Sequence, residues 1–133
     1  FSNAIITGNN ICTEDVLDKS ISIAEKSKVK MSNIKINNSE IGLAVKYNSN
    51  AILTSVEIIN SKLPVVVFVK KNEYGPAKLN LENFTLKESK NIYLVDDRSE
   101  LTINGESIFG TESGSVIESY LYGNKYGKAT TRQ

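Results

Sequence analysis

The residues most able to do chemistry in this chain are the adjacent carboxylates Asp96 and Asp97, with Arg98 beside them. Paired carboxylates serve glycoside hydrolysis as general acid and general base. Lyase chemistry asks for a basic Arg or Lys and for calcium held by clustered carboxylates. The only arginines are Arg98 and Arg132, and Glu14-Asp15 and Asp96-Asp97 are the only adjacent acidic pairs. A solvated turn before Ser99 is therefore the plainer account of Asp96-Asp97-Arg98. A second group is Lys70, Lys71, Glu73 and Tyr74, in the polar stretch from Lys70 to Pro76. Two ammonium groups, a carboxylate and a phenol on a projecting loop suit contact with a sugar or a partner chain.

Composition removes several classes of chemistry. There is no histidine, so Ser-His-Asp and Cys-His catalysis and the commonest transition-metal ligand are out of reach. Cys12 is the sole cysteine, which forbids an intrachain disulfide and argues against a cysteine-based zinc site. It reads as a small buried apolar residue rather than a nucleophile. Neither G-x-G-x-x-G nor G-x-x-x-x-G-K-[ST] occurs, and there is no EF-hand loop. No catalytic residue, metal ligand or cofactor is assigned. Sixteen basic residues against 15 acidic ones leave a net charge of +1, too small a field to steer nucleic acid or an anionic membrane. No apolar run approaches the ~20 residues of a membrane span; the longest, Leu63 to Val69, contains Pro64.

The elements that must position these groups follow from an internal repeat. Steps of 22, 28 and 22 link Met31, Leu53, Leu81 and Ile103, and likewise Val29, Ala51, Leu79 and Leu101. The same steps link Ile36, Ile58, Leu86 and Ile108; they also link Ile34, Val56 and Phe84 before meeting Glu106. Ser27, Ser49, Ala77 and Ser99 form a polar column, as do Ser39, Ser61, Ser89 and Thr111. The long step is explained by a loop at Lys70–Pro76, which ends in the breaker Gly75-Pro76. Within a repeat, apolar residues alternate in short runs: Val29 and Met31, then Ile34 and Ile36, then Ile41, Leu43 and Val45. That is strand spacing, with no sustained helical period. Leu63, Val65, Val67 and Val69 repeat the third run, and Ile92 and Leu94 repeat it one residue late. Ile21 and Ile23 close an earlier coil, and residues 1–20 hold an irregular first coil around Ile5, Ile6 and Ile11.

Three short strands per ~22 residues predict an all-β chain folded as a short right-handed parallel β-helix, each coil stacked on the last. The coils occupy residues 1–110, and Glu106 in an inward column marks where the core frays. Residues 111–133 are expected to form a C-terminal cap or tail. Its stretch Tyr120-Leu121-Tyr122-Gly123-Asn124-Lys125-Tyr126 reads as cover for an exposed strand edge, since solenoids need atypical terminal units, or as a joint to another chain. The chain opens at Phe1 in sequence that already reads as structured, so a fragment or processed product of a longer protein is expected.

Asp18-Lys19-Ser20-Ile21-Ser22-Ile23-Ala24-Glu25-Lys26-Ser27 and Lys70-Lys71-Asn72-Glu73-Tyr74-Gly75-Pro76-Ala77 resemble the right-handed parallel β-helix modules of bacterial exported proteins. They are similar to modules that accompany spore-coat-kinase-like domains. The resemblance covers about residues 1–110 and implies a pectate-lyase-like solenoid. The enzymes of that wider group cleave polysaccharides, and its hydrolases carry an Asp pair together with a further upstream Asp and His and Arg or Lys motifs. This chain lacks the His and the upstream motif, so fold alone assigns no activity.

Together these readings give a non-catalytic structural or recognition module of a bacterial extracellular or surface protein. Its expected partners are a polysaccharide or a neighbouring domain, through Lys70, Lys71, Glu73, Tyr74, Asp96, Asp97 and Arg98. A second expectation is a hydrolase or lyase using Asp96 and Asp97. A third is an assembly element that self-associates through an open end of the helix.

Overall fold

The computed structural model describes residues 5–24, 26–69, 75–90, 93–110 and 117. Among the described residues seven strands make one sheet: β1 (Ile5–Ile23), β2 (Lys28–Lys46), β3 (Asn50–Phe68), β4 (Lys78–Lys87), β5 (Tyr93–Val95), β6 (Glu100–Ile103) and β7 (Glu106–Ile108). Every pairing is parallel except that of β6 with β7. The result is a parallel β-solenoid of about four turns. Its spacing is the one read from the sequence: Met31 pairs with Leu53, Leu53 with Leu81, and Leu81 with Ile103.

Each coil has three sides, and residues in left-handed conformation make the corners. Asn10, Asn33, Ser55 and Asn83 stack at the first corner, Asp15, Asn38, Asn60 and Glu88 at the second, and Lys26 and Asn48 at the third. Asn and Asp dominate because a short polar side chain lowers the penalty of positive φ. The same side chains tie coil to coil. Asn60 Nδ2 donates to Asn38 Oδ1 at 2.7 Å, and Asn38 Nδ2 donates to Asp15 Oδ1 at 2.9 Å. At the first corner Asn33 Nδ2 donates to Asn9 Oδ1 at 2.8 Å.

Between corners the side chains alternate, and six inward columns fill the core. Val29, Ala51, Leu79 and Leu101 form one, and Ile36, Ile58 and Leu86 another. Ile, Val and Leu suit such stacks, since coils lie ~4.8 Å apart and branched side chains pack against their neighbours above and below. Phe84 meets Tyr93 edge to face, with ring centroids 6.5 Å apart. Burial there pushes the Tyr93 phenol above its ordinary range.

The first coil is irregular as expected, in that β1 pairs with β2 one residue longer than the repeat until an extra residue is absorbed between Val16 and Lys19. Four expectations need correction. Ile5 is exposed and outside the core. The fourth coil does not slip, because Tyr93 pairs with Val65 and Val95 with Val67, so Tyr93 and Val95, rather than Leu94, join the inward columns. Ile41 and Leu63 do not face the core with Leu43 and Val65. They lie in a second cluster on the outer face with Ala44, Val66, Phe68 and Ile117, against which Leu94 packs. Gly42 and Pro64 interrupt the alternation there: a side chain on Gly42 would come within 2.6 Å of the Pro64 carbonyl oxygen. Finally, Ile108 does not extend the Ile36 column. The chain reverses at Asn104-Gly105, both with positive φ, the signature of a two-residue type I′ hairpin. Ile108 then pairs with Leu101, and Glu106, opposite Ile103, is exposed.

On the outer face Glu57 binds Lys87 Nζ at 2.8 Å and lies 3.9 Å from Lys35 Nζ, joining three coils. The hydrogen bond from Lys87, aided by both ammonium charges, holds the Glu57 carboxyl below its usual value, and Glu57 in turn raises Lys87. For Glu57 the linked stability is present above the unfolded carboxylate range and lost as pH falls through the lowered value; for Lys87 it is lost as pH rises through the raised one. Lys87→Ala should move the Glu57 titration back upward in an NMR pH series; an unmoved titration contradicts the pairing. Gly42→Ala should destabilise the fold by about 1–3 kcal/mol in urea unfolding, the range for an overpacked interior.

Candidate functional site

The third corner is the place where chemistry-bearing residues gather. It is the edge on which the third side of one coil turns into the first side of the next. Its column is Ser27, Ser49, Ala77 and Ser99, all buried. The serines repair the ladder where strand pairing stops. Ser49 Oγ accepts from the Ser27 amide at 3.2 Å and donates to the Tyr47 carbonyl at 3.4 Å. Ser99 Oγ accepts from the Ala77 amide at 3.2 Å. Ala77 has no hydroxyl to offer Ser49, and the Ser49 amide turns back to the Lys46 carbonyl of its own coil at 3.2 Å.

Asp96 belongs to this corner and is 1% exposed. Its carboxylate accepts three backbone amides. Oδ2 takes Val69 N at 2.6 Å, and Oδ1 takes Ser99 N at 2.7 Å and Arg98 N at 3.1 Å. Two of these bonds close the turn Asp96–Ser99, as an Asp at the head of an Asx turn does. The third reaches the coil above and holds Val69, the last described residue before the long connection. Asp97 and Arg98 are exposed beside it. The adjacent pair is therefore divided: one carboxylate is committed to backbone donors inside the corner, and the other stands in solvent.

The sequence proposed two separate groups, and the structure brings their surroundings together. Lys70, Lys71, Glu73 and Tyr74 lie outside the described residues. The residues that flank them, Val69 and Gly75, are described, and both are fastened to this corner. Val69 is held by Asp96 from the coil below, and the Gly75 carbonyl accepts from Asn48 N at 3.1 Å in the coil above. Gly75 packs so closely on the Asn48 side chain that a Cβ there would collide with Asn48 Oδ1. The two described residues that bound the longer step, Val69 and Gly75, are thus both anchored at this edge, where Asp97 and Arg98 are also exposed.

Sequence reasoning found the serine columns but missed what precedes them. Every left-handed corner residue of the second and third corners except Asp15 stands immediately before a column serine: Lys26-Ser27, Asn38-Ser39, Asn48-Ser49, Asn60-Ser61 and Glu88-Ser89. The doublet Asn-Ser recurring with the repeat was the available signal. Among the described residues no three His, Cys, Asp or Glu side chains gather closely enough to hold a metal ion, and no helix is long and apolar enough to cross a membrane. Cys12 is exposed on β1 rather than buried as expected.

Asp96→Asn replaces one acceptor oxygen with a donor facing the Val69 amide. It should lower unfolding free energy by about 1–3 kcal/mol, the cost of leaving a buried donor unmatched. Asp97→Asn, at an exposed position, should change it by less than ~0.5 kcal/mol. Equal effects in thermal unfolding would contradict the division of roles. No protein-family model, curated protein or solved structure matches this chain.

Proposed function

We propose that the chain is a non-catalytic recognition and spacing module that engages a polysaccharide along its third corner. One observation supports this reading above others. Asp96 uses its carboxylate as a structural clasp, fixing both the turn that carries Asp97 and Arg98 and the point where the Lys70–Tyr74 excursion begins. A rigid scaffold that projects exposed polar and charged groups from one edge suits binding without chemical turnover. Tyr74 supplies an apolar ring for a sugar face, and Lys70, Lys71, Glu73, Asp97 and Arg98 supply hydrogen-bond partners for hydroxyls or uronate carboxylates. The resemblance to modules of bacterial exported proteins adds that the parent protein works outside the cell or on its surface.

The test is a glycan array on the purified chain, run beside Tyr74→Ala and Arg98→Ala. The expected result is binding to one class of glycan that falls at least about tenfold in either variant, a loss of some 1.4 kcal/mol. A folded protein that binds no glycan, or whose binding ignores both substitutions, overturns the reading.

A further inference from the structure

Asn104-Gly105 is the only Asn-Gly pair in the chain. The pair suits its turn, since both residues have positive φ, 49° and 87°, as this two-residue hairpin requires. It is also the pair least protected against loss of the side-chain amide. A glycine leaves its own backbone nitrogen unshielded, so that nitrogen can approach the carboxamide carbon of the residue before it. The left-handed asparagines at the corners precede isoleucine, serine or phenylalanine, whose side chains hinder the same approach. Asn104 and Gly105 are exposed, and among the described residues nothing lies within 4 Å of where a Cβ on Gly105 would stand, so water reaches the turn. Asn104 is nevertheless fastened. Its Oδ1 accepts from Phe84 N at 2.8 Å, its Nδ2 donates to Phe84 O at 3.2 Å, and its backbone N donates to Leu81 O at 2.9 Å. The carboxamide thus stands beside Phe84 where a neighbouring strand would offer a peptide group.

We infer that Asn104 is a deamidation site gated by the fold, a one-way latch on the layer that β6 and β7 form. Gly105 N attacks Asn104 Cγ. The N–Cγ bond forms, the amide proton passes to the leaving nitrogen, the Cγ–Nδ2 bond breaks, and ammonia departs from a closed succinimide. Water then opens the ring at either carbonyl and leaves aspartate or isoaspartate, with nothing oxidised or reduced. The attack needs the carboxamide to turn from Phe84 towards its own main chain. It therefore proceeds only while the Asn104–Phe84 pair is open, as a local opening allows. The product does not latch again. An aspartate at 104 keeps an oxygen for Phe84 N, but its other oxygen has no hydrogen to give and meets the Phe84 carbonyl, acceptor against acceptor. An isoaspartate adds a methylene to the main chain inside a two-residue turn and shifts β7 against β6. Each event removes a fastening for good, so the chain records the time its hairpin has spent open.

Peptide mass mapping of the purified chain, incubated at neutral pH both native and unfolded in urea, tests the inference, because the reaction replaces a side-chain NH2 by OH. In urea, Asn104 should convert ahead of every other asparagine, and Gly105→Ala should slow it there, where the turn plays no part. In the native chain the same residue should convert at least about tenfold more slowly than in urea, as a group released only by local opening does. Asn104→Asp, which is one product, should speed hydrogen exchange of the β6 and β7 amides and leave those of β2 unchanged. Another asparagine leading in urea, native conversion of Asn104 as fast as in urea, or an Asn104→Asp protein whose β6 and β7 are protected as before overturns the inference. Should that variant not fold, the two rates measured on the unmodified chain decide.

Discussion

A parallel solenoid depends on turning its chain three times per coil without leaving buried peptide groups unpaired. Strand ladders satisfy the sides but stop at the corners, where the backbone enters the left-handed region. Each coil solves this with side chains borrowed from the next. Serine hydroxyls take corner amides, asparagine carboxamides stack on one another, and once, at Asp96, a carboxylate takes three amides. An unpaired buried peptide group costs about as much as a lost hydrogen bond, so a corner without its clasp would weaken the stack even where the strand ladders still join the sides. The regular core is therefore a consequence of the corners as much as of its Ile, Val and Leu.

The same dependence decides what the sequence could reveal. The inward columns were legible, because a repeating coil forces the same side chain to meet the same environment each time: Met31, Leu53 and Leu81 had to match. Apart from the 28-residue step at Lys70–Pro76, features that break the repeat were not legible. The extra residue between Val16 and Lys19 hid the register of the first coil, although its strand pairs with β2 almost throughout. Gly42 and Pro64 reversed the facing of Ile41 and Leu63, and an apolar residue reads the same whether it faces the core or the second cluster. Asn104-Gly105 was a hairpin signal in plain view, overlooked because Ile108 also happened to fit the Ile36 column.

The candidate site was partly legible for a related reason. Asp96-Asp97 stood out as chemistry because adjacent carboxylates are uncommon, yet adjacency in sequence says nothing about which of two side chains turns inward. At a corner the chain rotates sharply from one residue to the next, so neighbours part company: Asp96 goes to the backbone of two coils and Asp97 to water. That Val69 and Asp96-Asp97 share one edge was implicit in the repeat, since a step of 28 makes Asp96 the equivalent of Phe68 and Asp97 that of Val69. The geometry becomes visible only when Asp96 is seen to hold Val69.

The unequal ends also give the single chain a direction of disassembly. In a stack of coils each unit is held only by its neighbours, so loss of structure begins where a unit has one neighbour instead of two. Among the described residues the final coil is fastened by its hairpin and by Asn104, whereas the first pairs with β2 alone. Opening should therefore run from β1 towards β6, one layer at a time, in the manner of the partial unfolding units seen when stability varies along a structure. A pulling force applied at the amino terminus would peel coils in sequence, while the same force at residue 103 would meet the most tightly fastened layer first.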